Sequence, residues 1–101
     1  MQVFIKRKNG SINATGMYNE KTKELTVLKG SVISGKIAYS DKFRGSATIE
    51  KNRKLYSKDG VVSENVTFKS ASTAANFVTG SSTNGLTAWK DKNGTILREL
   101  I

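Results

Sequence analysis

Five cations stand near one another in the middle of the chain: Arg44, Lys51, Arg53, Lys54 and Lys58. Side chains of this kind hold phosphate oxygens, and several on one segment would give a bound polyanion a steep salt dependence. A second group lies further on. Lys69, Ser70 and Ser72 sit at the start of a stretch with helical spacing, and the N–H groups and hydroxyls at such an end favour an anion such as phosphate. The third is Trp89 with Lys90, a ring suited to base stacking beside a cation. Each has a plainer reading: the five cations as a solvated helix face, the serines as helix caps, and Trp89 as core, where a single Trp in a small domain is more often found. Strand alternation also turns Trp89 and Lys90 to opposite sides, so the two are not implied to act on one base.

The missing residue types narrow the chemistry further. There is no His and no Cys, which removes the commonest general base, the commonest metal ligand and any thiol nucleophile or disulfide. Eight Asp and Glu are dispersed, and no spacing forces two onto one helix face. A Ser–Lys nucleophile built on Ser70 or Ser31 would need a desolvated Lys, for which nothing in the local sequence argues. Lys29-Gly30-Ser31 offers N–H groups and a cation to a phosphate, but it lacks P-loop spacing and reads as a turn ending a strand. The expectation is a non-enzyme with no catalytic residue, no cofactor and no metal.

Charge is the strongest compositional fact. Seventeen Lys and Arg against eight Asp and Glu give a net charge of +9 over 101 residues. Such an excess attracts polyanions, nucleic acid above all; the plainer reading is a basic surface that maintains solubility. The length suits one domain, residues 1–101, with one modest core. The apolar runs are too short for a signal peptide or membrane span, so the sequence predicts cytoplasmic residence and no membrane partner.

The elements that must carry these groups follow from periodicity. Residues 1–8, 11–19 and 24–29 alternate as strands joined by short turns, which makes an antiparallel meander. In the first, Val3 and Ile5 oppose Gln2, Phe4 and Lys6. Lys6-Arg7-Lys8, leading into the turn Asn9-Gly10, marks an exposed strand end that resists edge pairing. In the second, Ile12, Ala14, Gly16 and Tyr18 share a face. Ser40-Asp41 offers a helix cap, and Gly45 delays the helix to 46–57, with Ile49, Leu55 and Tyr56 toward the core. Asp59-Gly60 is a turn, and 61–67 an extended linker or short strand. Ala71, Ala74, Ala75 and Val78 form one helical stripe, begun by a Ser70 or Ser72 cap, stapled by Phe68 and ended by Gly80. Residues 86–90 and 95–97 then alternate around Asn93-Gly94, the strongest two-residue hairpin signal, with both turn residues expected at positive φ. The fold class is α+β: an N-terminal antiparallel meander, one or two helices and a C-terminal β-hairpin.

The order Phe68, Ser70, Ser72, Ala74-Ala75, Val78, Gly80, Asn84-Gly85, Trp89, Gly94, Leu97, Leu100, with Val27-Leu28-Lys29-Gly30-Ser31 upstream, resembles a small domain family of unknown function. That family is often appended to GIY-YIG endonucleases and other restriction-modification proteins. It is similar to the RAMA domain (restriction enzyme adenine methylase associated), which shares the Asn-Gly and Trp pattern. The family often has Pro where this chain has Ala71, and an aromatic, commonly Trp, where it has Leu86; the second departure weakens the case for an aromatic binding surface after Asn84-Gly85. The resemblance implies a DNA-associated accessory module and imports no activity.

Charge and resemblance together predict a nucleic-acid partner, DNA over RNA, held by Arg44, Lys51, Arg53, Lys54, Lys58, Lys69, Ser70, Ser72, Trp89 and Lys90. A partner enzyme, covalently or non-covalently attached, fits the same reading, and the oligomeric state stays open. The competing expectation is a protein–protein interaction module, basic for solubility, that uses a strand edge or the Ala-rich helix.

Overall fold

The computed structural model of the chain describes residues 1–7, 10–35 and 46–101. In order these form β1 (Gln2–Lys6), β2 (Asn13–Tyr18), β3 (Leu25–Val27), α1 (Ser46–Tyr56), β4 (Ser57–Lys58), β5 (Val61–Val62), β6 (Val66–Phe68), α2 (Ala71–Thr79), α3 (Gly85–Ala88) and α4 (Leu97–Leu100). The architecture is α+β, as the periodicity predicts. β1, β2 and β3 make the antiparallel meander, and β6 returns to pair with β3, giving a four-stranded sheet in the order β1-β2-β3-β6. The Ser40-Asp41 cap lies outside the described residues.

One face of this sheet is the floor of the core. Val3, Ile5, Ala14, Tyr18, Leu25, Val27, Val66 and Phe68 point inward and are buried, as the period of two requires. The segment 61–67, whose sequence fits a linker or a short strand, contributes to two strands, β5 and β6. β4 and β5 form a hairpin whose connecting residues, Asp59 and Gly60, both take positive φ (54° and 80°). Asp59-Gly60 is therefore a tight left-handed turn, where the strand twist calls for it.

α2 is capped as its sequence indicates. The Ser70 hydroxyl accepts from the Thr73 N–H at 3.1 Å, and Gly80 closes the helix at φ 75° with its N–H bonded to Asn76 O. Ala71, Ala74, Ala75, Phe77 and Val78 are buried, and the Phe68 and Phe77 rings pack 5.0 Å apart at 41°. On α1, Ile49 is buried and Tyr56 packs against the core, but Leu55 is 58% exposed. The inward position beside Tyr56 belongs to Arg53 instead. Its guanidinium donates to Phe77 O (3.2 and 3.0 Å), Ser34 O (2.7 Å) and Ser34 Oγ (2.9 Å). Two of those bonds reach a carbonyl in the last turn of α2, where the helix dipole favours a cation.

The C-terminal third departs most from the expected pattern. Residues 85–88 form the helical turn α3, not the first part of a strand. Asn84 caps it, its side chain accepting from Leu86 N–H at 3.0 Å. Gly85 lies so close to α2 that a Cβ there would overlap the Ala71 carbonyl and Ser72 N. Trp89 follows, fully buried. Its Nε1–H donates to Ala71 O at 3.0 Å, and its ring lies over Gly16, where an added Cβ would come 3.1 Å from Cζ3. The C-terminal hairpin is a single rung, Lys90 to Ile96. Only Gly94 takes positive φ (84°); Asn93 does not, because the Asp91 carboxylate accepts from both Asn93 N–H and Thr95 N–H (2.9 Å each) and holds a wider turn. The chain then enters α4 at Leu97, one of the most deeply buried side chains.

Two glycines separate steric from torsional demands. Gly85→Ala forces backbone apart and is expected to cost about 3 kcal/mol or more. Gly94→Ala meets no atom within 4 Å and costs only the left-handed torsion, about 1–2 kcal/mol. Urea denaturation of both variants checks the ranking. Arg53→Lys cannot span the same acceptors and is expected to lose about 1–2 kcal/mol. Lys51→Gln, on the solvent side of α1, is expected to stay within about 0.5 kcal/mol of wild type in the same assay.

Candidate nucleic-acid interface

The five-cation segment does not form one patch. Arg44 lies outside the described residues. Lys51, Lys54 and Lys58 are exposed, and Lys54 pairs with Glu50 at 3.8 Å, an i,i+4 pair of the ordinary surface kind. Arg53 is turned into the fold, its donors taken by Ser34 and the end of α2. It clamps α1 to the end of α2 and to Ser34. The sequence reading put it in a basic patch, with a solvated face as the alternative, because spacing cannot distinguish a guanidinium that reaches carbonyls from one that reaches water.

The helix-end group is also engaged in folding. Ser70 Oγ accepts from Thr73 N–H, and Ser72 Oγ accepts from Gly85 N–H at 2.9 Å. α3 is packed against this first turn, so the hydroxyls expected to meet phosphate hold the chain to itself; Lys69 beside them is exposed. Trp89 is core, with no ring face open to a base. The Lys29-Gly30-Ser31 turn has its N–H groups bonded to Asn65 Oδ1, Val62 O and Leu28 O in turn, consistent with its reading as a strand-ending turn.

Lys90 is the predicted residue that the fold brings to other cations. Its N–H and carbonyl pair with Phe4 across the open edge of β1 (Lys90 N to Phe4 O 3.0 Å, Phe4 N to Lys90 O 2.7 Å). The exposed side chains of Lys6, Arg7, Lys90 and Lys92 thereby gather at one sheet edge. Two shallow hollows flank the pairing. One, of about 200 Å³, is lined by Phe4, Lys6, Lys90, Asp91, Lys92 and Gly94. The other, of about 230 Å³, shares Phe4, Lys6 and Lys90 and adds Arg7 and three threonines, Thr79, Thr83 and Thr87. The Thr83 and Thr87 hydroxyls donate to Ser81 O and Asn84 O, which leaves the cations to set the electrostatics. Asp91, the acid in this group, accepts two backbone N–H groups in its own turn. Phe4 is partly exposed, with Lys6 Nζ 4.7 Å from its ring centroid.

Sequence reading missed Lys6, Arg7, Lys92 and Phe4 as a group. Lys6-Arg7 and Lys90-Asp91-Lys92 are visible as two short basic stretches, but the rung joining them links opposite ends of the chain. Among the described residues no three Asp or Glu come together as a metal site would require, and no helix is long and apolar enough to cross a membrane.

No curated protein and no solved structure matches this chain. A family model described as a domain of unknown function does match, from β1 through the Arg53 clamp, the Asn84-Gly85 cap and Trp89 to the last residue. Over residues 4–101, then, the chain belongs to the DUF4357 family.

Proposed function

We propose that this domain is a non-catalytic nucleic-acid-binding module, holding DNA in preference to RNA, that accompanies nucleases or restriction-modification enzymes. The observation that carries the reading is the excess of positive charge. The chain carries +9, and between described residues the one ion pair is Lys54 with Glu50. Lys6, Arg7, Lys90 and Lys92 at the β1 edge and Lys51, Lys54 and Lys58 on and beside α1 are exposed. The association with DNA enzymes rests on the likeness of the Asn84-Gly85 and Trp89 pattern to RAMA domains.

A protein-interaction role is favoured by a different feature. Met1 and Met17 are 37% and 41% exposed and line an open hollow of about 500 Å³ with Tyr18, Asn19, Glu20, Lys21 and Thr26. The two readings part on salt. Phosphate contacts release counterions, so each is expected to add about 0.9 to the slope of log K against log salt on duplex DNA, or about 0.7 on a single strand. Fluorescence anisotropy with labelled DNA across a salt series is expected to show binding with a slope of at least about 3. No binding even at low salt overturns the nucleic-acid reading.

A further inference from the structure

We propose that the sheet edge where Phe4 and Lys90 pair is a single-stranded DNA site, with Phe4 stacking on a base while Lys6, Arg7, Lys90 and Lys92 hold the neighbouring phosphates. The inference rests on the nucleic-acid reading and adds the place and the form of the ligand.

Three observations converge there. The cations come from both ends of the chain and border two adjoining hollows that share Phe4, Lys6 and Lys90. The carboxylate among them, Asp91, is bound into its turn by Asn93 and Thr95 N–H groups, so it holds the loop that carries Lys92. The hollows contain a partly exposed aromatic ring, which a purely electrostatic duplex site does not need. Sequence-tolerant binding of single strands combines a cationic track with aromatic faces. In a duplex the bases are stacked inside and do not reach a ring set in a shallow hollow. At about 200 and 230 Å³ the hollows fall below the range of whole-cofactor pockets and suit one base or one phosphate group each.

Lys6 now covers the Phe4 ring. An exposed cation–π contact is weaker than base–aromatic stacking, so an arriving base takes the ring face and the displaced ammonium turns to the adjacent phosphate. This exchange makes Lys6 and Phe4 successive contacts to one nucleotide.

The test uses fluorescein-labelled strands of about twelve nucleotides, as single-stranded DNA, as duplex and as RNA, read by anisotropy over a salt series. Wild type is expected to hold the single DNA strand more tightly than the other two. Phe4→Leu is expected to weaken single-strand binding about tenfold with the salt slope unchanged, and Phe4→Tyr to retain it, because stacking releases no counterions. Lys6→Gln with Lys90→Gln is expected to lower the slope by about 1.4. Circular dichroism melts establish that each variant is folded. The site is overturned, with the nucleic-acid reading intact, if these variants bind as wild type while Lys51→Gln with Lys54→Gln loses affinity. Tighter binding to duplex or to RNA overturns the single-stranded DNA assignment. Absence of binding to every strand at low salt removes the broader reading as well.

Discussion

The indole of Trp89 is the contact on which the rest of the structure depends. It fills the space between the four-stranded sheet and α2, and it touches both through parts that cannot be exchanged. Toward the sheet it requires Gly16, because a Cβ there would crowd both the ring and Leu25. Toward the helix it bonds Ala71 O, a carbonyl in the first turn of α2. Burying so large a side chain is among the largest single contributions to a small core, and its N–H must find a partner when buried. The Ala71 carbonyl meets that requirement and fixes the ring's orientation.

This seat explains the residues that produced the family resemblance. Asn84 starts the turn before the Trp, Gly85 lets that turn lie against the backbone of Ala71 and Ser72, and Ser72 receives the Gly85 N–H. The Ala-rich stripe brings α2 close enough for all of this. In this chain the Asn84-Gly85 and Trp89 pattern is therefore an arrangement for closing a core.

What was legible in the sequence follows the range of the interactions. The meander was readable because strand alternation and short turns are local, and α2 because its stripe, Ser70 cap and Gly80 stop lie within a few residues. Residues 86–90 misled because alternation over so short a stretch cannot distinguish a strand from one helical turn followed by an extended residue; the Asn84 cap decided it. Leu55 and Arg53 exchanged expected places because α2's carbonyls offer a guanidinium more than the core offers another aliphatic group. Asn93-Gly94 has the hairpin composition, but Asp91 two residues earlier gives the backbone N–H groups a carboxylate and sets another turn. The edge site was not legible at all, since it requires Phe4 and Lys90 to meet across the whole chain.

The fold and the candidate site are nevertheless linked by one rule of chain geometry. Successive residues of an extended segment face opposite sides. With Trp89 turned inward to Gly16 and Ala71, Lys90 must turn outward, and the edge of β1 is the backbone it can pair with. Leu97, fully buried just beyond the turn and bonded through its N–H to Trp89 O at 2.8 Å, anchors the other side and leaves the Lys92 turn protruding. The cationic edge is thus a consequence of how the Trp is buried. Its position relative to Phe4 and Lys6 is set by backbone bonds that continue from the core beneath it, although the cationic side chains that form it are exposed.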